Sequence, residues 1–419
     1  MTGKRPRTIA VVALCLVVSA LAMECSYRAF LYVRFPERFV VPPRDERISV
    51  FDQPMWEYDQ QFGYSYSAGR RVNTSIIENG RVTQCQDEIY ANEQGNIGPS
   101  VPDFSSADFR IAVFGDSFTA SAIDEVTWPS ILQSKLESGS AKTVRVMNLA
   151  RDGYGILQMF DLAAARIPEL RPTLVIFAFN YTALPRGRSW RVLVGSGEKE
   201  RFVSTEQNSS NPNLQDSSDL QLIMPSATRQ WCRDMLAKSP EQQAQDDFLR
   251  RLISKSRDIE SQNPTAPLAN PYDLKSSYVF NLLVYRKPFY SQLRRLQPGI
   301  NPTVKYNDFR EDRPFVRAVK AVNATGVPYI VVHLPLGSHV KVAKEFHLDP
   351  QSESLLHSLD EITGRPVFAM FPYLSVAPED GMSMCKKPKD CHPSVFGMHS
   401  YADAVIQIIK RNRISGAPQ

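Results

Sequence analysis

A serine at the end of an apolar strand is the strongest sign of chemistry in this sequence. Residues 110–120 read RIAVFGDSFTA, so a run of apolar residues ends abruptly in Gly115, Asp116 and Ser117. Ligands of open parallel α/β sheets bind beyond the carboxyl ends of the strands, and a glycine at such an end lets the backbone turn sharply. The position suits a serine nucleophile. A turn that only caps a helix is the structural alternative.

A serine hydroxyl becomes a good nucleophile when a base takes its proton, and the usual base is a histidine oriented by a carboxylate. His392 fits this need, because Asp390 precedes it by two residues in a loop that leads into the last helix. Pro393 restricts the backbone of His392 to non-helical angles. An exposed loop histidine is the alternative for His392. The histidines interpreted as structural are His333, His339, His347, His357 and His399.

Attack on an acyl carbon also requires hydrogen-bond donors for the oxyanion that forms. The segment 146–155, VMNLARDGYG, follows a second apolar strand and contains Gly153, which can expose its backbone N–H. Asn180 ends a third strand and offers a side-chain amide. Each of these two residues considered alone is commonly a turn residue. The carboxyl ends of parallel strands converge, so we expect both residues to lie near Ser117 and His392.

These four blocks resemble those of the SGNH or GDSL hydrolases, which contain a GDS serine, a glycine, an asparagine and a final Asp-to-His segment. The resemblance covers about residues 109–184 and 310–415. It implies a flavodoxin-like three-layer α/β/α sandwich with a parallel sheet. The site residues that it implies are Ser117 as nucleophile, His392 as base, Asp390 as its orienter, and the N–H groups of Ser117 and Gly153 with Asn180 as the oxyanion hole.

The apolar pattern itself also indicates an α/β fold, because short apolar strands alternate with helices of ten or so residues. The alternation is interrupted by a polar stretch rich in Gln, Ser and Asn, interpreted as an insertion at 185–302 of a domain at 109–415. Residues 36–108 are interpreted as an irregular lead-in with a few strands rather than a separate core. The expected strands are 111–114, 144–149, 174–179, 329–334 and 367–371, and the expected helices are 128–136, 157–167, 314–323, 353–361 and 396–410.

The first residues predict a membrane segment. A basic tail at 1–8 precedes residues 9–23, which carry no charge, and an amphipathic run extends the apolar path to residue 35. We interpret 9–35 as a signal anchor that leaves the catalytic domain exported, either periplasmic or extracellular. A cleaved signal peptide at 1–22, which would make the protein secreted, is the alternative.

The cysteines indicate disulfides on the exported side, where thiols are usually oxidised. Two of the six cysteines lie in the predicted membrane segment, and the other four are Cys85, Cys232, Cys385 and Cys391. The short separation of Cys385 and Cys391 makes them the best local pair, and Cys85 would then pair with Cys232. Unpaired buried thiols are the alternative. No histidine or cysteine cluster has zinc-ligand spacing, so neither a metal nor a cofactor is predicted.

Composition narrows the class of protein. The 419 residues are 43% hydrophobic and 22% charged, which is ordinary globular usage. The net charge of +5 comes without any basic run, which argues against a nucleic-acid partner.

The expected function follows from the resemblance. It implies a serine esterase that works through an acyl-enzyme, and anchored members of the family commonly act on acyl groups of cell-surface polysaccharides. An O-acyl ester of a glycan, most simply an O-acetyl ester, is therefore the expected substrate.

One alternative is an O-acyltransferase acting on an exported polysaccharide, with a membrane-bound acyltransferase as its partner. Another is a catalytically inactive glycan-binding or assembly protein, because Asn180 lacks the Gly-x-Asn-Asp context of many members. A membrane-tethered scaffold would use the aromatic residues of 50–100 instead.

Overall fold

The computed structural model describes residues 19, 47–85, 89–138, 140–180, 183, 189–194, 199–206, 215–262, 313–335, 350–374, 383–387 and 390–414. No helix within these ranges is long and apolar enough to cross a membrane. The predicted membrane segment 9–35, apart from residue 19, lies outside them, so the choice between an anchor and a cleaved signal peptide stays a prediction.

The described elements are seventeen strands and nine α-helices. The strands are β1 (Arg47–Phe51), β2 (Trp56–Asp59), β3 (Gly63–Tyr66), β4 (Arg71–Val72), β5 (Thr74–Glu78), β6 (Arg81–Cys85), β7 (Ile89–Tyr90), β8 (Phe109–Gly115), β9 (Val144–Asn148), β10 (Leu174–Asn180), β11 (Ser189–Val194), β12 (Lys199–Glu206), β13 (Gln215–Ile223), β14 (Tyr329–Leu334), β15 (Val367–Ala369), β16 (Cys385–Lys387) and β17 (Asp390–Pro393). The helices are α1 (Ser117–Ala120), α2 (Trp128–Ser138), α3 (Ile156–Leu170), α4 (Arg229–Ala237), α5 (Pro240–Ala244), α6 (Asp247–Gln262), α7 (Arg313–Ala324), α8 (Pro350–Thr363) and α9 (Val395–Arg411).

The central sheet has five strands in the order β15, β14, β10, β8, β9, and every neighbouring pair is parallel. All seven residues of β10 are buried, as expected for a strand covered on both faces. Numbered along the chain, the order is 2-1-3-4-5, which is that of flavodoxin-like doubly wound sheets. The predicted parallel sheet is therefore confirmed.

Two apolar clusters cover the two faces of this sheet, because successive residues of a strand point to opposite sides. On one face, Phe114 and Phe177 pack with residues of α3, α7 and α8. On the other face, Ile111 and Val113 pack with residues of α2 and α9. Helices therefore cover both sides of the sheet, which gives the three-layer α/β/α arrangement.

A second sheet has six strands in the order β11, β12, β13, β1, β5, β6. It joins strands of the lead-in to strands of the insertion, and β1 pairs with β13 in parallel, with Ser49 opposite Gln221. The lead-in therefore contains strands, as expected, and their pairing with strands of the insertion was not predicted. Its strands are short, and β1 pairs with a segment more than a hundred residues away, so local sequence pattern carries little sign of them.

The chain forms two compact units. One comprises residues 1–47, 78–81 and 244–305, and the other comprises 48–77, 82–243 and 306–419. In the described part of the first unit, Leu249 and Leu252 of α6 are fully buried. The second unit contains the central sheet and all the residues of the predicted site.

A disulfide links the lead-in to the insertion within the second unit. It joins Cys85, at the end of β6, to Cys232 in α4, with 5.8 Å between the two Cα atoms and a sequence separation of 147. This is the predicted pairing. Cys385 is also disulfide-bonded. The side chain of Cys391, its predicted partner, lies outside the described part of the structure.

Candidate active site

Ser117 is the first residue of α1, immediately beyond the end of β8. The turn requires a glycine at Gly115, because a Cβ there would lie 2.4 Å from the carbonyl oxygen of Ala178 and 2.6 Å from the Cβ of Thr119. The Thr119 hydroxyl in turn donates to the Ala178 carbonyl over 3.1 Å. Close approach of α1 to β10 therefore fixes where Ser117 begins its helix.

Asp116 connects the ends of two neighbouring strands. Its carboxylate is fully buried, with Oδ1 accepting from the Phe118 N–H at 3.0 Å and Oδ2 from the Asn180 N–H at 3.0 Å. The first bond caps α1, and the second holds the end of β10 beside it. Sequence reasoning singled out the GDS motif for its serine and missed this role of the aspartate.

His392 lies in contact with Ser117 although 275 residues separate them along the chain. The distance from His392 Nε2 to Ser117 Oγ is 2.8 Å, and both side chains are half-buried. The imidazole also packs against the ring of Phe118, with 4.9 Å between the ring centroids. Ser117 and His392 thus have the hydrogen-bonded arrangement that a nucleophile and its base require.

The start of α9 fixes the strand that contains His392. Ser394 caps α9 by accepting from the Gly397 N–H at 3.1 Å, and its own N–H donates to the Met384 carbonyl at 2.8 Å. A Cβ on Gly397 would lie 2.4 Å from that same carbonyl oxygen, so only glycine fits there. The helix therefore packs tightly against the segment before β16 and places His392 at its entrance.

The side chain of Asp390 lies outside the described part of the structure, although its backbone belongs to β17. Its role as the carboxylate that orients His392 therefore stays a prediction.

The predicted oxyanion donors come from the strands on either side of β8. Gly153 lies in the loop between β9 and α3 and has a φ of +74°, a conformation that favours glycine. Asn180 is the last residue of β10 and is 1% exposed. Ser117 is the first residue of α1, so its N–H has no acceptor within the helix. Three adjacent strand ends thus supply the three predicted donors, at the point where the strand order reverses and ligands bind in such sheets.

Asn148 is a further site residue that the sequence did not identify. Its side-chain amide donates to the carbonyls of Ile97 at 3.2 Å and Thr119 at 3.1 Å, and its oxygen accepts from the Ala150 N–H at 3.2 Å. The residue is buried at the end of β9. It ties the start of the Gly153 loop to the end of α1. The sequence feature that could have indicated Asn148 is its position as a polar residue at the end of an apolar strand.

The electrostatics around Asp116 involve a buried tyrosine of α9. Burial, and then the negative charge of Asp116, raise the pKa of Tyr401 above its usual range, and its hydroxyl donates to the Pro335 carbonyl at 2.6 Å. Tyr401 is therefore neutral at physiological pH. Among the described residues, no group of three or more His, Cys, Asp and Glu side chains could hold a metal ion.

Comparisons with known proteins give similarities to solved structures alone. No family model matches the chain, and no curated protein matches it. The structure of TesA is 12% identical at a TM-score of 0.34, with 72% of this chain and 98% of that chain covered. A lipase/acylhydrolase from Enterococcus faecalis is 10% identical at a TM-score of 0.33, covering 73% and 96%. A putative acylhydrolase from Bacteroides fragilis is 11% identical at a TM-score of 0.31, covering 75% and 90%.

Two of these three structures are described as acylhydrolases. The chain resembles the SGNH/GDSL hydrolases in its motifs.

Proposed function

We propose that this protein is an SGNH-type serine ester hydrolase with Ser117 as its nucleophile. The observation that carries the proposal is the 2.8 Å contact between Ser117 Oγ and His392 Nε2, two residues that are 275 positions apart in the sequence. An unactivated serine is a weak nucleophile, and a histidine within hydrogen-bond reach removes that obstacle.

The reaction proceeds in two halves. In the first, His392 Nε2 takes the Ser117 proton while Oγ attacks the ester carbonyl carbon, and the resulting imidazolium gives that proton to the departing alcohol oxygen. This leaves the acyl group on Ser117. In the second half, His392 takes a proton from water, the hydroxide attacks the acyl carbon, and the proton returns to Ser117 as the carboxylic acid leaves. Asp390 would stabilise the imidazolium in both halves.

The tetrahedral intermediates carry negative charge on the former carbonyl oxygen. The N–H groups of Ser117 and Gly153, with the Asn180 amide, would stabilise this charge, and removing one such donor from a serine hydrolase lowers kcat by about 10²–10³. The support for this assignment is that the three residues come from the adjacent strands β8, β9 and β10.

The substrate we propose is an O-acyl ester, most simply an O-acetyl ester, on a cell-surface glycan. The support is the predicted membrane segment at 9–35, which would export the domain, together with the family resemblance. An acyltransferase would use the same nucleophile, base, orienting carboxylate and oxyanion donors, and would pass the acyl group to a sugar hydroxyl instead of to water. A membrane-bound acyltransferase would then be its partner and supply the acyl group.

Labelling by a fluorophosphonate tests the nucleophile directly, because the reagent phosphonylates an activated serine. We expect the full chain to be labelled, the Ser117→Ala and His392→Ala variants to be unlabelled, and Ser134→Ala, which removes an exposed serine of α2, to be labelled like the wild type. Equal labelling of wild type and Ser117→Ala would sink the proposal. Absence of labelling in a folded wild type would favour the inactive glycan-binding protein.

Acetate release distinguishes the substrates and the two reactions. We expect the wild type to release acetate from p-nitrophenyl acetate and from an O-acetylated polysaccharide, and Ser117→Ala to release none. An added sugar acceptor that becomes acetylated at the expense of free acetate would identify a transferase.

A further inference from the structure

The loop that contains Gly153 is held from behind by the hairpin of β2 and β3 in the lead-in. The Tyr64 hydroxyl donates to the carbonyl oxygen of Asp152, and the Tyr66 hydroxyl accepts from the Asp152 N–H at 3.0 Å. Both backbone polar groups of Asp152, the residue before Gly153, are therefore hydrogen-bonded by tyrosines that lie about ninety residues earlier in the sequence.

The carbonyl of Asp152 and the N–H of Gly153 belong to the same peptide group. A trans peptide is planar, so its C=O and N–H bonds point in opposite directions. The chain contains no cis peptide among its described residues. Because the carbonyl points to Tyr64, the Gly153 N–H must point away from the hairpin. A glycine at positive φ would otherwise let this peptide rotate more easily than any other residue would.

The two tyrosines are themselves held rigidly. Tyr64 is 0% and Tyr66 1% exposed, and β2 pairs with β3 along four residues each. The Tyr154 hydroxyl donates to the Tyr64 carbonyl at 2.7 Å, and the two rings meet edge to face at 5.1 Å. The Arg151 guanidinium lies 5.1 Å from the centre of the Tyr66 ring and donates to Asn96 Oδ1. The hairpin is therefore a firm support for the loop.

We propose that Tyr64 and Tyr66 are positioning residues that orient the Gly153 N–H as an oxyanion donor. The inference rests on the proposed hydrolase function and extends it to the lead-in. The hydrogen bond from Tyr64 also polarises the Asp152–Gly153 peptide, which makes its N–H a stronger donor. The lead-in thus acts in catalysis without touching the substrate.

The test compares Tyr→Phe variants of the full chain with p-nitrophenyl acetate as substrate. Tyr64→Phe keeps the ring and removes the hydroxyl that holds the Asp152 carbonyl. Loss of a positioned oxyanion donor lowers kcat by about 10²–10³, so a partly freed peptide should lower it by about 10- to 100-fold, with KM changed by less than about threefold. Tyr66→Phe should lower kcat in the same direction.

Tyr329→Phe is the matched control. Tyr329 is buried too, and its hydroxyl lies within hydrogen-bond distance of two acceptors, Asn323 Oδ1 at 2.8 Å and the Thr363 carbonyl at 3.0 Å. It is the first residue of β14, so it lies at the amino-terminal ends of the parallel strands, opposite to the carboxyl-terminal ends that form the site. We expect both Tyr329→Phe and Tyr64→Phe to lose stability, and only Tyr329→Phe to keep the wild-type kcat. Unfolding midpoints measured in urea compare the stability losses of the two variants and so separate an effect on kcat from an effect on stability.

A second measurement is the rate of fluorophosphonate labelling, because the phosphonyl oxygen occupies the oxyanion hole. Labelling of Tyr64→Phe should slow about as much as its kcat falls. If the wild type is active but Tyr64→Phe and Tyr66→Phe behave like Tyr329→Phe, the inference fails and the proposed function stands. If Tyr64→Phe does not fold, the comparison of Tyr66→Phe with Tyr329→Phe decides the question. If Ser117→Ala labels like the wild type, the proposed function itself fails.

Discussion

Asp116 is the residue on which the order of the site depends most directly, because its one buried carboxylate accepts hydrogen bonds from the start of α1 and from the end of β10. Sequence pattern could indicate Ser117, since a serine after an apolar strand and a glycine has a recognisable context. It could not indicate the task of Asp116, because its second partner, the Asn180 N–H, is 64 residues away and becomes adjacent when β8 pairs with β10.

We expect Asp116→Ala to lower the free energy of unfolding by about 2–6 kcal/mol, because two buried N–H groups lose their acceptor and each such loss costs about 1–3 kcal/mol. Asp116→Asn keeps one acceptor oxygen and should lose less. Urea denaturation of the three proteins measures the difference. An Asp116→Ala variant with the stability of the wild type would show that the carboxylate does not hold the strand ends together.

At the scale of the elements, the sequence predicted the strands of the central sheet well. The expected strand 174–179 is β10 (Leu174–Asn180), and the expected strand 329–334 is β14 (Tyr329–Leu334). Both are nearly continuous runs of apolar residues, and such a run is by itself a sequence signal for a strand that is buried on both faces. For the lead-in the sequence predicted only a few strands, without bounds or partners, because their pairing depends on segments that are distant in sequence, as with β1 and β13.

The packing of β8 against β10 makes a specific prediction about Gly115. We expect Gly115→Ala to lower the free energy of unfolding by about 1–3 kcal/mol, the usual cost of overpacking, because the new Cβ would clash with the Ala178 carbonyl. Relief of the clash would shift α1 and Ser117, so esterase activity should fall as well.

Gly364→Ala is the control for this variant. Gly364 has a φ of +62° and open space where a Cβ would lie, so alanine there should cost about 1–2 kcal/mol through backbone strain alone. Activity should remain. Equal activity in the two variants, measured below their unfolding temperatures, would mean that the close approach at Gly115 does not position the serine.

At the scale of the whole molecule, the Cys85–Cys232 disulfide closes a long covalent loop, since its two cysteines have a sequence separation of 147. In the chain-entropy treatment, a crosslink over a loop of this order stabilises the folded state by about 3–5 kcal/mol. We expect the double variant Cys85→Ser and Cys232→Ser to unfold at a correspondingly lower urea concentration. Addition of a thiol reductant should then destabilise the wild type far more than the double variant, and an equal response of the two would contradict the prediction.

The separation of Ser117 and His392 has a consequence for when the protein can work. Since His392 comes 275 residues after Ser117 in the sequence, a growing chain presents the serine long before its base has been synthesised. A partly made or partly translocated chain therefore holds a serine as unreactive as any other. If the domain is exported, its chemistry begins only after delivery, which would spare esters inside the cell from an enzyme still in transit.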